Sequence, residues 1–208
     1  MSQPGTISRY TTAQRINHWI TAGCFILLAL SGMSLFHPSL FFLTDLFGGG
    51  PYTRAIHPWF GVVLLVSFAI LFVRFFHHNL WNRDDTAWIG KIDKVISNHE
   101  EDVPDVGRYN AGQKLVFWSM TLLILVLFVT GIVIWDQYFF GFTSIEVKRV
   151  AIAIHSLAAV AIIAVFIAHV YAGIWIRGTM GGMLHGSVTP GWAFRHHRKW
   201  LRDLARGR

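Results

Sequence analysis

Four apolar runs, at about residues 18–36, 57–76, 114–135 and 151–173, constrain this chain more than any other feature. A backbone in lipid must satisfy its own hydrogen bonds, so a chain crosses as helix, and a hydrocarbon core takes roughly 20 helical residues to span. Each run is that long or nearly so. Hydrophobic residues make up 53% of the 208 and charged residues only 14%, which excludes an ordinary soluble domain. The expected fold is all-α, an integral membrane four-helix bundle built from residues 1–208 as a single domain. Pro58 near the start of the second run and Arg74 near its end are expected at helix ends, where proline needs no donor and arginine can reach the interface.

About 17 polar residues precede the first run, unlike the short basic start and small-residue site of a cleaved signal, so this span is expected to stay. The single cysteine, Cys24, leaves no intramolecular disulfide and no cysteine-ligated cluster, so a redox centre must use other ligands. Bases gather in the leader (Arg9, Arg15), in the link between spans two and three (Arg83, Lys91, Lys94, Arg108) and in the tail 177–208 (Arg177, Arg195, Arg198, Lys199, Arg202, Arg206, Arg208). The other links hold only Arg54, Lys148 and Arg149. By the positive-inside rule both termini and the middle link are cytoplasmic. The net charge of +7 then serves topology and attraction to membrane lipid, and no nucleic-acid partner is expected.

Within the middle link, Trp88, Ile89, Ile92, Val95 and Ile96 recur at helical spacing, which predicts an amphipathic surface helix over about 86–97, capped by Asp84, Asp85 or Thr86. The tail, "TPGWAFRHHRKWLRDLAR", interleaves tryptophan with base and is expected to lie on the membrane surface. The first outer link carries a Gly-Gly-Gly-Pro breaker. No internal repeat is evident.

The eleven histidines separate by depth. His77, His78, His99, His185, His196 and His197 fall in or beside cytoplasmic links and His37 at an outer boundary, where solvated or interfacial roles are expected. Four lie within the spans: His18, His57, His155 and His169. His155 and His169 are 14 residues apart, roughly 21 Å of rise and about 40° of net rotation, so they point from one face of the fourth span at opposite depths. His18, at the inner end of the first span, matches the depth of His169; His57, at the outer end of the second, matches His155. A pair of imidazoles from two helices is what a b-type haem takes as axial ligands. The alternative for each histidine is a helix-to-helix hydrogen bond. Gly23, Gly32, Gly61, Gly131 and the alanine-rich "SLAAVAIIA" leave room for a macrocycle or, equally, for close helix packing. No carboxylate lies inside any run, which argues against a zinc transporter or a carboxylate proton relay.

"RINHWITAGCFILLALSG" in the first span, "IHPWFG" opening the second, "VGRYNAGQKLVFW" entering the third and the His155/His169 pair in the fourth together resemble the gamma subunit of membrane-bound respiratory formate dehydrogenases. That family is a four-helix di-haem cytochrome b of the bacterial cytoplasmic (inner) membrane. The resemblance implies two haems b, held by His57 and His155 on the outer side and by His18 and His169 on the inner side. It also implies an iron-sulfur beta subunit as donor, a molybdenum or tungsten alpha subunit that oxidises formate, and a quinone (menaquinone or ubiquinone) reduced on the cytoplasmic side. A higher-order oligomer of the complex is left open. The chain would thus belong to an enzyme as its quinone-reducing electron-transfer subunit, while formate is oxidised elsewhere.

The hexapeptide "YNAGQK" offers Asn110 and Gln113 as hydrogen-bonding groups and Gly112 for close approach, and the resemblance assigns these three to quinone. The competing reading is that Asn110 caps the third span and Gln113 faces its first turn. Lys114, Arg108 and Arg54 could face haem propionates or lipid phosphate. Histidine spacing does not itself distinguish this family from the cytochrome b subunits of nickel-iron hydrogenases or thiosulfate and polysulfide reductases. A haem-free structural membrane anchor is the rival of a different class.

Overall fold

A computed structural model of the chain describes residues 5–97, 99 and 103–207. Arg208, counted above with the basic tail, lies outside them. In chain order these residues form β1 (Ile7–Ser8), α1 (Thr12–Phe36), a 3-10 segment (Pro38–Phe47), α2 (Gly50–Phe75), a 3-10 turn (Phe76–Asn79), α3 (Arg83–Ile89) and α4 (Ile92–Ile96). Then follow α5 (Ala111–Ile134), α6 (Asp136–Phe139), α7 (Ile145–Trp175), α8 (Thr179–His185), β2 (Ser187–Val188), α9 (Pro190–His196) and α10 (Arg198–Ala205). Four of them, α1, α2, α5 and α7, are long and apolar enough to cross a membrane.

Each long helix starts three to seven residues before its apolar run. At α1 and α5 a cap, not hydropathy, decides the start. Thr11 Oγ1 accepts from Gln14 N at 3.3 Å while Gln14 Oε1 accepts from Thr11 N at 2.9 Å, a reciprocal capping box ahead of α1. One consequence corrects the sequence reading: because α2 begins at Gly50, Pro58 lies inside the helix and not near its end. Its missing N–H leaves the Arg54 carbonyl without an i+4 donor, next door to His57.

Contacts divide the chain into two compact units, the first of Met1–Arg15, Arg74–Trp118 and Ala168–Arg208, the second of Ile16–Val73 and Ser119–Ile167. In the second unit all four long helices contribute to one core, where Phe25, Leu64, Ile124 and Ile162 are buried and Phe25 stacks on Phe166 at 4.5 Å. Asn17 donates through its amide to the Ser67 carbonyl at 3.0 Å and accepts from Ser67 Oγ at 2.8 Å, tying α1 to α2. The outward side chains, among them Val66, Leu122 and Leu157, are exposed and apolar, a surface that lipid covers without penalty.

The first unit is built differently. β1 pairs antiparallel with β2, Ile7 opposite Val188, and Val188, Trp192, Ala193 and Trp200 close a small core over the pair. The tail is therefore not simply laid on a membrane: Trp192 and Trp200 are buried, packing on the Arg9 guanidinium at 4.8 and 4.7 Å. His197, expected to be solvated, is 1% exposed, with Nδ1 2.8 Å from the Gly107 carbonyl. The surface helix of the middle link is two short helices, α3 and α4, broken at Gly90–Lys91. Its cap is Asn82, which accepts from Asp84 N and Asp85 N while the Asp85 carboxylate accepts from Asn82 N. Trp88 turns into the protein against Val106 and Ala111, whereas Ile92 and Ile96 stay exposed.

Candidate cofactor site

His57 stands on α2 and His155 on α7, with ring centroids 6.4 Å apart and ring planes at 65°. Two imidazoles bound on opposite sides of one metal at about 2 Å per bond, each centroid roughly 1.1 Å behind its nitrogen, would stand about 6.2 Å apart. The observed spacing meets that requirement.

The far side of each ring is equally defined. Ser31 Oγ lies 2.7 Å from His57 Nδ1, and Thr130 Oγ1 lies 2.8 Å from His155 Nδ1. Each hydroxyl donates its only proton to a carbonyl one turn earlier, Ser31 to Leu27 and Thr130 to Val126, both at 2.7 Å. The hydroxyls must then accept from the histidines, so both Nδ1 atoms carry hydrogen and both Nε2 atoms keep the lone pair that a metal takes.

A cavity of about 780 Å³ opens beside the two rings, lined largely by apolar side chains, by Gly32, Gly61 and Gly131, and by Arg54. This lies within the range of roughly 300–1,000 Å³ usual for cofactor sites. A Cβ on Gly32 would sit 3.3 Å from His57 Cε1, and one on Gly131 3.6 Å from His155 Cε1. A mostly apolar cavity, paired imidazoles in the ligating tautomer and a cation at its wall together fit a b-type haem. Gly23, grouped with the other glycines in the sequence, does not line it.

His18 lies on α1 in the second unit, its ring edge-on to Trp19 at 5.5 Å. His169 lies on α7 in the first unit, 14 residues beyond His155 on the same unbroken helix, about 21 Å along its axis.

Asn110 and Gln113 form a second reciprocal box at the start of α5, Asn110 Oδ1 accepting from Gln113 N at 2.9 Å and Gln113 Oε1 from Asn110 N at 3.1 Å. Capping therefore uses their two carbonyl oxygens and leaves their NH₂ groups for another partner. Both residues line a cavity of about 40 Å³ shared with Trp88, Trp192 and His197, room for water and not for a quinone ring. Gly112 is accounted for by packing, since a Cβ there would sit 3.3 Å from the Trp88 indole. Lys114 and Arg108 are engaged within the first unit: Lys114 Nζ pairs with Asp85 Oδ2 at 2.7 Å, both nearly fully buried, and Arg108 Nη2 donates to the Arg9 carbonyl at 2.5 Å.

Ser31 and Thr130 escaped the sequence reading. The one trace they leave is a repeated hydroxyl-glycine dipeptide, Ser31-Gly32 and Thr130-Gly131, placed 26 and 25 residues before the histidine that each serves.

Comparison with known proteins matches residues 9–186 to the family described as prokaryotic cytochrome b561. The chain is 48% identical over 204 residues to the cytochrome b556(fdo) subunit of formate dehydrogenase from Escherichia coli K12, covering 98% of this chain and 96% of that protein. It is 41% identical over 204 residues to the nitrate-inducible cytochrome b556(Fdn) subunit of the same organism, covering 98% and 94%. A formate dehydrogenase cytochrome b556 subunit from Haemophilus influenzae is 36% identical over 203 residues, covering 98% and 85%.

Proposed function

This chain belongs to the prokaryotic cytochrome b561 family, and we propose that it is the di-haem cytochrome b subunit of a formate dehydrogenase, carrying electrons across a bacterial cytoplasmic membrane to quinone. The relatives named above are formate dehydrogenase subunits and support formate as the source of electrons. Held by paired imidazoles, a b-type haem would supply one-electron transfer here.

The residues divide this work by depth. His57 and His155 hold the outer haem, and Arg54 offers its guanidinium to the propionates from the wall of the cavity. His18 and His169 hold the inner one. The roughly 21 Å of α7 between His155 and His169 keeps the two centres apart along the path of transfer. On the cytoplasmic side Asn110 and Gln113, whose carbonyl oxygens cap the first turn of α5, keep NH₂ donors for a quinone oxygen, which would reach them directly or through water in the small cavity they line. Gly112 admits Trp88, which backs that site.

With both termini cytoplasmic, the outer links at about 38–56 and 136–149 face the iron-sulfur subunit, and the molybdenum or tungsten subunit lies beyond it. Electrons moving inward while quinol protons are taken from the cytoplasm transfer charge against the membrane potential, about 2.3 kcal/mol per charge per 100 mV. The single observation that carries this reading is the His57/His155 pair lining one largely apolar cavity, with both Nδ1 atoms engaged and both Nε2 atoms left for metal. A reduced-minus-oxidised optical spectrum with a pyridine haemochrome assay tests it. Two low-spin haems b per chain are expected; a folded complex from haem-replete cells that contains none overturns it and leaves the haem-free anchor.

A further inference from the structure

We infer that Ser31 and Thr130 are positioning residues for the outer haem, each holding one axial imidazole by its Nδ1–H so that the ring's orientation and its electron donation to iron are set by a neutral hydroxyl. The inference rests on the reading that His57 and His155 are the ligands of that haem. It concerns what lies behind them.

A serine or threonine in a membrane helix usually satisfies itself by donating to the carbonyl one turn earlier, and both residues do so. That bond needs no histidine. Yet each hydroxyl also turns a lone pair to an imidazole, at 2.7 Å on α1 and at 2.8 Å on α5. The two arrangements share their plan. The hydroxyl stands on the helix preceding the ligand helix, α1 before α2 and α5 before α7. The next residue is glycine, and in each case the missing Cβ faces the Cε1 of the same imidazole. Ser31 is fully buried and Thr130 nearly so, which leaves bulk water out of both hydrogen bonds.

The chemistry follows from the direction of the protons. Because each hydroxyl hydrogen is committed to a backbone carbonyl, the hydroxyl can only accept, and the histidine is confined to the tautomer with hydrogen on Nδ1. An acceptor behind Nδ1–H makes the opposite nitrogen a better donor, which favours the oxidised iron. A carboxylate in the same place would push further and would also bring a charge into lipid. Serine and threonine supply the orientation without that charge.

Redox titration of the purified complex, following each haem optically and by low-temperature electron paramagnetic resonance, tests this. In Ser31→Ala and Thr130→Val the complex is expected to keep two haems per chain, to raise the midpoint potential of one haem while the other stays, and to shift the g-values of that same haem. Thr130→Ser, which restores an acceptor, is expected to return potential and g-values to those of the unmodified complex. The ligand reading is tested separately by His57→Ala, which should lose the haem whose potential moved. If His57→Ala loses no haem, the ligand reading fails. If it loses one, but Ser31→Ala and Thr130→Val leave both potentials and both spectra unchanged, the positioning role alone is overturned. Should Ser31→Ala not assemble, Thr130→Val, nearly isosteric, decides by the same two readouts.

Discussion

A methyl group added at Gly32 would stand 3.3 Å from His57 Cε1, tighter than ordinary van der Waals contact, whereas at Gly131 the corresponding gap of 3.6 Å is ordinary. The two glycines hold equivalent places with unequal room. Overpacking of a fixed group costs about 1–3 kcal/mol, and here the ring that must yield is held from behind by Ser31. Gly32→Ala is therefore expected to lower haem content or displace the outer haem's spectrum, and Gly131→Ala to do neither, measured as haem per chain and band position in the two purified variants. At this scale the sequence disclosed the histidines and the glycines, because a histidine in an apolar run and a missing side chain are visible in one dimension. Ser31 and Thr130 were hidden because their local hydrogen bond accounts for them. Only the placement of α2 beside α1, and of α7 beside α5, shows that each has a second partner.

Helix existence followed from hydropathy, while helix ends did not. Apolar runs mark how deep a residue sits in lipid, but a helix begins where its first N–H groups find acceptors. Residues 50–56 and 145–150 are too polar to count as span and are helical all the same. The motifs for two starts were nonetheless in plain view, Thr11 to Gln14 and Asn110 to Gln113, each a capping residue with glutamine three positions on. The second box leaves Asn110 with two separable duties. Asn110→Asp keeps an oxygen to accept from Gln113 N, since aspartate caps as well as asparagine, but removes the NH₂ offered to quinone. The expected outcome is an unchanged melting temperature with a raised KM for quinone. Asn110→Ala should lose both, with the cap worth about 1 kcal/mol. A KM unmoved in Asn110→Asp would make the residue a cap and nothing more.

The largest departure from the sequence reading concerns the first unit, where leader and tail close one small core and the middle link folds around another. Interleaved tryptophan and base suggested contact with lipid, since composition alone cannot say that Arg9 takes the faces of Trp192 and Trp200 for itself. His197 lies among these groups, its Nε2 3.5 Å from Arg9 Nη2 and its Nδ1 against the Gly107 carbonyl. Burial, and then the Arg9 charge, lower its pKa from 6.5 to about 3. The sign of the consequence is definite. Below pH 6.5 the unfolded chain takes up a proton that the folded one refuses, so stability is full above that value and falls as the pH drops toward 3. Asp105 pairs with Arg198 and Arg202 in the same unit, and Asp84 with Lys199. The loss due to His197 therefore sets in as the pH falls below 6.5. Tryptophan fluorescence in detergent should show the first unit loosening between about pH 6.5 and 4.5. His197→Gln, which can still donate to the Gly107 carbonyl but has no proton to gain, should flatten the dependence there. Equal slopes for the two proteins between pH 4.5 and 6.5 would remove His197 as the cause of the acid response.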